Sequence, residues 1–404
     1  MYFFRQESEP GLITLQRVKV LMALDFLSPV SGKILDFASR LSSQHLGSKI
    51  VFHTKDDFPD LKKIKIAIVG VLENRGDENA VKAVNLDAVR KEFYSLYPGN
   101  WNVAIADFGD IIQGDMQTDT YYAVHKVVAF FLKNKIIPVI IGGTQDLTYA
   151  LYRAFDDLDQ MVNLVAIDSK FDFGNAAEAL SKDAYLTKII IETPNNLANF
   201  SNIGYQTYYN SQEEIDLIDK LFFDAYRLGD ISKDITIAEP IFRNADLVSM
   251  DLNAVASANS FNFEYFVSNG FNGKEICALS RYAGISDKVS VFGIFNHNNT
   301  TAESVLIAQI IWYFIEGFYY RSNEYPFGSI EKFTKYNVPS SDFQLVFYKS
   351  NISNRWWIEI PVEYDTDNKA KLNTLLPCSH QDYLSACNQE LPERWWKSQR
   401  KNMP

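Results

Sequence analysis

Apolar residues along this chain fall into two patterns: short unbroken runs of strand type, and longer stretches where they recur every three or four positions. Ile64–Val71, Asn102–Asp107, Lys135–Ile141, Asn163–Asp168, Leu186–Ile191, Asp246–Asp251 and Lys288–Ile294 are of the first kind, rich in β-branched residues, and predict buried strands. Stretches of the second kind lie between them: a helix through Val89, Phe93 and Leu96 closed by Pro98-Gly99, one over 120–133, one over 213–227, and a strongly apolar one over 302–320. Strands alternating with helices at this spacing predict right-handed βαβ units, hence a three-layer α/β/α architecture around a mainly parallel sheet.

Three of the predicted strands end in polar residues of unusual chemistry. Lys135–Ile141 runs into Gly142-Gly143-Thr144-Gln145-Asp146. Asn163–Ile167 runs into Asp168-Ser169-Lys170-Phe171-Asp172, where a period of two would send Asp168, Lys170 and Asp172 to one side. Asp246–Met250 runs into Asp251-Leu252-Asn253. In a parallel sheet ligands bind beyond the carboxyl ends of the strands, so these three ends are the candidate site.

In this order the three stretches resemble the ureohydrolase family of arginases, agmatinases and formiminoglutamases, whose motifs read G-G-D-H-S, D-A-H-x-D and S-x-D-x-D. The resemblance covers about Lys63 to Tyr320 and implies an arginase-like fold. It also implies two manganese ions, held by the motif His and Asp residues, and a bridging hydroxide that attacks a guanidinium or formimino carbon. Position by position, Asp168, Asp172 and Asp251 stand where the family has Asp. Gln145 and Lys170 replace its two His, and Asn253 replaces its fourth Asp. Asn269-Gly-Phe-Asn-Gly-Lys-Glu275 resembles a glycine-rich family loop with a glutamate near the substrate, which makes Glu275 a weak catalytic candidate beside Lys170. Acidic residues are equally common in a first helical turn because of the helix dipole.

The lysine is the decisive change. Imidazole donates a lone pair to manganese, whereas an ammonium has none and repels the cation. One Lys–Asp contact at about 4 Å and an effective dielectric of about 20 is worth roughly 4 kcal/mol before desolvation. The expectation is therefore that the Lys170 ammonium occupies a manganese position, held by Asp168, Asp172 or Asp251, and that the metal cofactor is lost. The five histidines, His45, His53, His125, His297 and His380, lie outside the ligand positions.

Composition narrows the partners. The chain has 404 residues, 47% of them hydrophobic and 14% aromatic, as in a well-packed globular protein. A formal charge of −11 argues against nucleic acid, which is bound through Lys and Arg. Cys277, Cys378 and Cys387 have no zinc spacing and suit a reducing cytoplasm. The start of the chain lacks secretory-signal character, and the apolar 302–320 stretch carries Glu303 and Glu316 too close together to frame a membrane span.

Three regions follow: an N-terminal packing arm over 1–62, the arginase-like domain over 63–321, and an aromatic-rich extension over 322–404. The extension contains Arg355-Trp356-Trp357 and Arg394-Trp395-Trp396, so four of the six tryptophans sit in two pairs. Arg and Trp are enriched at binding hot spots, which makes these six residues partner-docking candidates; packing of the tail on the core, or a homo-oligomer contact, is the simpler and favoured expectation. The leading functional expectation is a pseudoenzyme of the ureohydrolase fold that binds or scaffolds. The alternative is a divergent formiminoglutamase-like hydrolase with an altered or single-metal site, and a third is a sensor of small cationic ligands.

Overall fold

The computed structural model describes residues 23–80, 84–175, 177–263, 265–324, 330–340, 343–361 and 374–401. Residues 1–22, the first third of the expected arm, lie outside the described residues.

Ten strands form the main sheet: β1 (Leu27–Ser28), β2 (Val51–Phe52), β3 (Ile66–Val71), β4 (Ile105–Ile111), β5 (Ile137–Ile141), β6 (Val162–Ile167), β7 (Leu197–Tyr205), β8 (Asp224–Arg227), β9 (Leu247–Asp251) and β10 (Val291–Phe295). Their order is β1-β4-β3-β5-β10-β9-β6-β7-β8, with β2 also paired to β4. Every pairing is parallel except β1 with β4. The N-terminal region thus adds two short strands to the edge strand β4. The central strands are buried along their length, as continuous apolar runs between two helical layers must be.

The topology fixes where a site can form. After β5 the chain passes to β6, leaving room for two strands between them, and β9 and β10 later fill the gap. Strand order therefore reverses between β5 and β6, which opens a crevice at the carboxyl ends of β5, β10, β9 and β6.

Two elements differ from expectation, and one strand has no counterpart in the apolar pattern. Leu186–Ile191 belongs to a helix, Tyr185–Ile191, despite three consecutive isoleucines. It buries Tyr185, Leu186 and Ile189 on one face while Ile191 remains exposed, so docking overrides β-propensity. The polar stretch 197–205 is strand β7, whose Asn199, Ser201 and Asn202 find partners in Asp224 and the Lys170 carbonyl. The expected helix over 213–227 stops at Lys220, and Asp224–Arg227 pairs with β7 as β8.

The extension forms a second sheet of β11 (Phe333–Pro339), β12 (Gln344–Ser350), β13 (Trp356–Ile360) and β14 (Thr374–Cys378), antiparallel in that order. Helices His380–Cys387 and Glu393–Lys401 follow it. Trp356, Trp395, Phe347 and Ile358 share its small core. Arg243 ties it to the main domain: the guanidinium donates to the Trp356 and Cys378 carbonyls at 3.0 and 2.8 Å and lies over the Trp357 ring at 4.7 Å. Among the described residues, no helix is long and apolar enough to cross a membrane.

Candidate functional site

The end of β5 is set by its two glycines. Gly142 and Gly143 take φ of +95° and +75°, and a Cβ on Gly143 would lie 2.4 Å from the Glu73 carbonyl oxygen. Only residues without a side chain let the strand turn this closely beneath the β3 loop, and the turn delivers Gln145 into the crevice. Asn296, just past β10, holds the next layer: its Oδ1 accepts from the Gln145 N–H at 3.1 Å and its Nδ2 donates to Asp251 at 2.8 Å.

Asp168, Asp172 and Asp251 are 1, 6 and 7% exposed. Asp172 has φ +56°, a left-handed conformation uncommon outside glycine. That turn bends the chain after Lys170, so the period of two ends with β6 at Ile167 and the Asp172 carboxyl returns to Asp168. Burial raises the pKa of Asp168; burial and the neighbouring Asp168 charge raise that of Asp172 well above the carboxylate range. Burial followed by the Asp168 charge pushes Asp251 up to about 8. The three carboxyls therefore meet as a proton-sharing cluster. Asp168 Oδ2 and Asp172 Oδ2 are buried with no donor from another residue, and the two carboxyls hydrogen-bond each other.

Lys170 corrects the expectation made for it. Its ammonium does not enter the space between the aspartates but pairs with Asp183 at 2.9 Å, with its side chain 34% exposed. The left-handed turn at Asp172 separates the directions of residues 170 and 172, and an amine that reaches water and a carboxylate together avoids the desolvation of full burial. Burial lowers the Lys170 pKa, and the Asp183 carboxylate outweighs it, so the amine stays charged. Lys182 behaves similarly, pairing with Asp77 at 2.7 Å.

The remaining family positions have also acquired other partners. Gln145 donates to the Tyr185 hydroxyl at 3.3 Å besides bonding Asp168, and the Asn253 side-chain Oδ1 accepts from Asn262 Nδ2 at 3.5 Å. Glu275 is a helix cap: it accepts from the Asn272 N–H at 2.9 Å while Asn272 accepts from the Glu275 N–H at 3.0 Å, which accounts for the carboxylate without a substrate. Of the sequence candidates, the structure brings Gln145, Lys170, Asp172, Asp251 and Asn253 around one small cavity of about 10 Å³, with Asp168 hydrogen-bonded to Asp172 and Gln145.

A larger cavity of about 360 Å³ adjoins it, sharing Lys182, Asn253, Tyr265 and Asn296. Its lining is dominated by amides, and it includes His297, which sequence reasoning passed over. Both ring nitrogens of His297 are buried without partners, and burial lowers its pKa to about 4, so the imidazole is neutral. The loop carrying it is anchored by Glu303, whose carboxylate accepts from the Asn298 N–H at 2.6 Å. The polar run Asn296-His-Asn-Asn299 directly after an apolar strand was the signal available in the sequence.

The docking candidates in the extension are mostly consumed by packing. Trp356, Trp357 and Trp395 are 7, 2 and 4% exposed, Arg355 pairs with Glu239, and Arg394 pairs with Asp382. Only Trp396 keeps substantial exposure, against Phe222 and Arg400. The tail is therefore bound to its own core through these residues.

Comparison with known proteins agrees with this geometry. Residues 66–258 match the model of the Arginase family. They form an arginase-family domain. The match begins with β3 and ends after β9, while the main sheet itself continues to β10. Among solved structures, the fold is similar to Trypanosoma cruzi formiminoglutamase with manganese (TM-score 0.59, 14% identity, 69% of this chain and 99% of that one). It is also similar to formimidoylglutamase of Bacillus subtilis (0.57, 13%, 72% and 100%). Agmatine ureohydrolase of Thermoplasma volcanium is a further likeness (0.54, 18%, 70% and 97%). At these identities the likeness is one of fold. An uncharacterized 32.2 kDa protein of Methanothermus fervidus is 36% identical over 87 residues, which span 21% of this chain and 30% of that protein.

The donor set does not fit the dinuclear manganese centre that the family implies. One imidazole position carries an amide that bonds Tyr185 and Asp168, and the other an ammonium that has no lone pair to give and pairs with Asp183. The smaller cavity has room for about one water-sized species.

Proposed function

We propose that this chain is a non-hydrolytic protein of the arginase fold, a binding module whose rim cavity takes a small polar ligand. The observation that carries the reading is the fate of the two imidazole positions. Gln145 offers its amide to the Tyr185 hydroxyl and to Asp168, and Lys170 carries its charge to Asp183, leaving three buried carboxyls whose pKa values are raised. A bridging hydroxide needs two cations, and a Lys170 ammonium that stays charged on the cavity wall opposes the second. The amide-rich lining, neutral His297 and Lys182 offer donors and acceptors for recognition by hydrogen bonds. The test is turnover: protein dialysed against manganese is incubated with formiminoglutamate, agmatine or arginine. Release of no formamide or urea is expected, and release at enzymatic rates overturns the proposal.

One observation favours a second reading, a hydrolase working with a single hard cation. Once ionised, the buried Asp168 Oδ2 and Asp172 Oδ2 are suitable oxygen donors for one magnesium or manganese ion. Calorimetric titration with each ion separates the readings: a one-to-one isotherm lost in Asp172→Asn supports the second, and the absence of heat supports the first.

A further inference from the structure

At the opposite end of the sheet, a cavity of about 270 Å³ lies between the amino-terminal halves of β6, β7 and β8 and the C-terminal extension. It is close in size to the small end of the ~300–1,000 Å³ range of small-molecule pockets. Its walls are of two kinds. Val165, Ile241 and Leu376 contribute to an apolar side, whereas Lys288, Arg394, Lys397 and Lys401 bring four cations to the polar side. Asp224 is the one carboxylate among the lining residues, and its charge is taken up by Asn199 at 3.0 Å and Lys397 at 3.8 Å.

Three of the cations are also satisfied from outside the cavity: Lys288 by Asp246 at 3.2 Å, Arg394 by Asp382 at 3.3 Å, and Lys397 by Glu393 at 2.8 Å. Lys401 differs. Its ammonium donates to the Asn199 side-chain oxygen, and no carboxylate lies within ion-pair distance of it among the described residues. Burial accordingly lowers its pKa to about 8, with the Lys397 charge acting in the same direction against Asp224. A partly buried ammonium that faces a cavity and lacks a counter-ion is stabilised by an anion placed there.

We propose that this cavity binds a small organic anion, a phosphate or carboxylate head seated at Lys401 and Lys397 with a short apolar body against Val165, Ile241 and Leu376. The head replaces the missing counter-ion, and the apolar wall rewards a ligand larger than the bare ion. The site is built jointly by the arginase-family sheet and the extension, so occupancy couples the two. It is separate from the carboxylate cluster, and its existence does not depend on whether that cluster holds a metal.

The test is isothermal titration of the full chain with phenyl phosphate, benzoate and inorganic phosphate, repeated on Lys401→Met and Lys401→Arg. Saturable binding of phenyl phosphate or benzoate is expected, about tenfold tighter than inorganic phosphate, with at least tenfold loss in Lys401→Met and retention in Lys401→Arg. The stronger of the two aryl anions identifies the head group. Circular dichroism and thermal melting of each ligand-free variant should match the parent, which separates lost binding from lost folding. No saturable binding of either aryl anion at millimolar concentration, or equal affinity in the parent and a folded Lys401→Met, overturns the proposal.

Discussion

Replacing Asp251 by Asn separates a proton-sharing cluster from a metal site by the sign of its effect on stability. Asp251 is 7% exposed, and burial followed by the Asp168 charge pushes it up to about 8. Its unfolded value is ~3.9, and each unit of difference is worth ~1.4 kcal/mol. At pH 7.5 the folded chain must retain a proton that the unfolded chain has released, at a cost of up to about 5 kcal/mol. Sharing of charge with Asp168 and Asp172 and relaxation of the surroundings reduce this to about 2–3 kcal/mol. Asparagine is neutral in both states, and its Oδ1 can still accept from the Asn253 N–H and Asn296 Nδ2, both now at 2.8 Å. Asp251→Asn is therefore expected to stabilise the protein by about 2 kcal/mol at pH 7.5.

The pH dependence supplies a second sign. With its folded pKa raised, the native carboxyl binds more protons than the unfolded one between about pH 4 and 8, so the Asp251 contribution falls as pH rises through that window. Urea unfolding at pH 5 and pH 8 should show the advantage of the variant growing by about 1–2 kcal/mol between them. A variant less stable than the parent at pH 8, or a difference that shrinks with rising pH, would refute the reasoning.

Other consequences concern the scaffold. Arg90 is buried against Asp107 at 2.8 Å and Asp110 at 2.8 Å, so Arg90→Met leaves an unpaired carboxylate in the core and should lower the urea-derived stability by about 3–5 kcal/mol. Arg243→Ala removes the two carbonyl contacts and the ring contact that anchor the extension; a loss of about 2–4 kcal/mol and faster proteolysis within 330–401 are expected, and an unchanged cleavage pattern would count against that anchor. Ser211→Ala deletes the reciprocal cap of helix Gln212–Lys220 and should cost about 1 kcal/mol by chemical denaturation.

The sheet was legible because its central strands are continuous apolar runs, a pattern that only burial between two layers favours. The candidate site residues were legible for the same reason, since Asp168 and Asp251 interrupt those runs at or next to their carboxyl ends and Gln145 follows the glycine turn after β5. What escaped depends on contacts remote in sequence. The 185–191 helix is decided by the surface it docks on, and β7 tolerates three polar residues because Asp224 and a backbone carbonyl satisfy them. The direction of Lys170 hangs on one left-handed residue, Asp172, a conformation that sequence favours weakly for aspartate and does not specify. His297 was unremarkable alone and gains interest only from the cavity that surrounds it. The tryptophan pairs left tail packing and partner docking both open, and Trp356, Trp357 and Trp395 pack against residues of this chain while Trp396 stays exposed.

Manganese content tests the central claim most directly, measured by elemental analysis after dialysis of the parent and of Gln145→His/Lys170→His/Asn253→Asp, which restores the family donors. The parent is expected to hold fewer than two ions per chain and the restored variant more than the parent. Two ions bound by the parent would contradict the account.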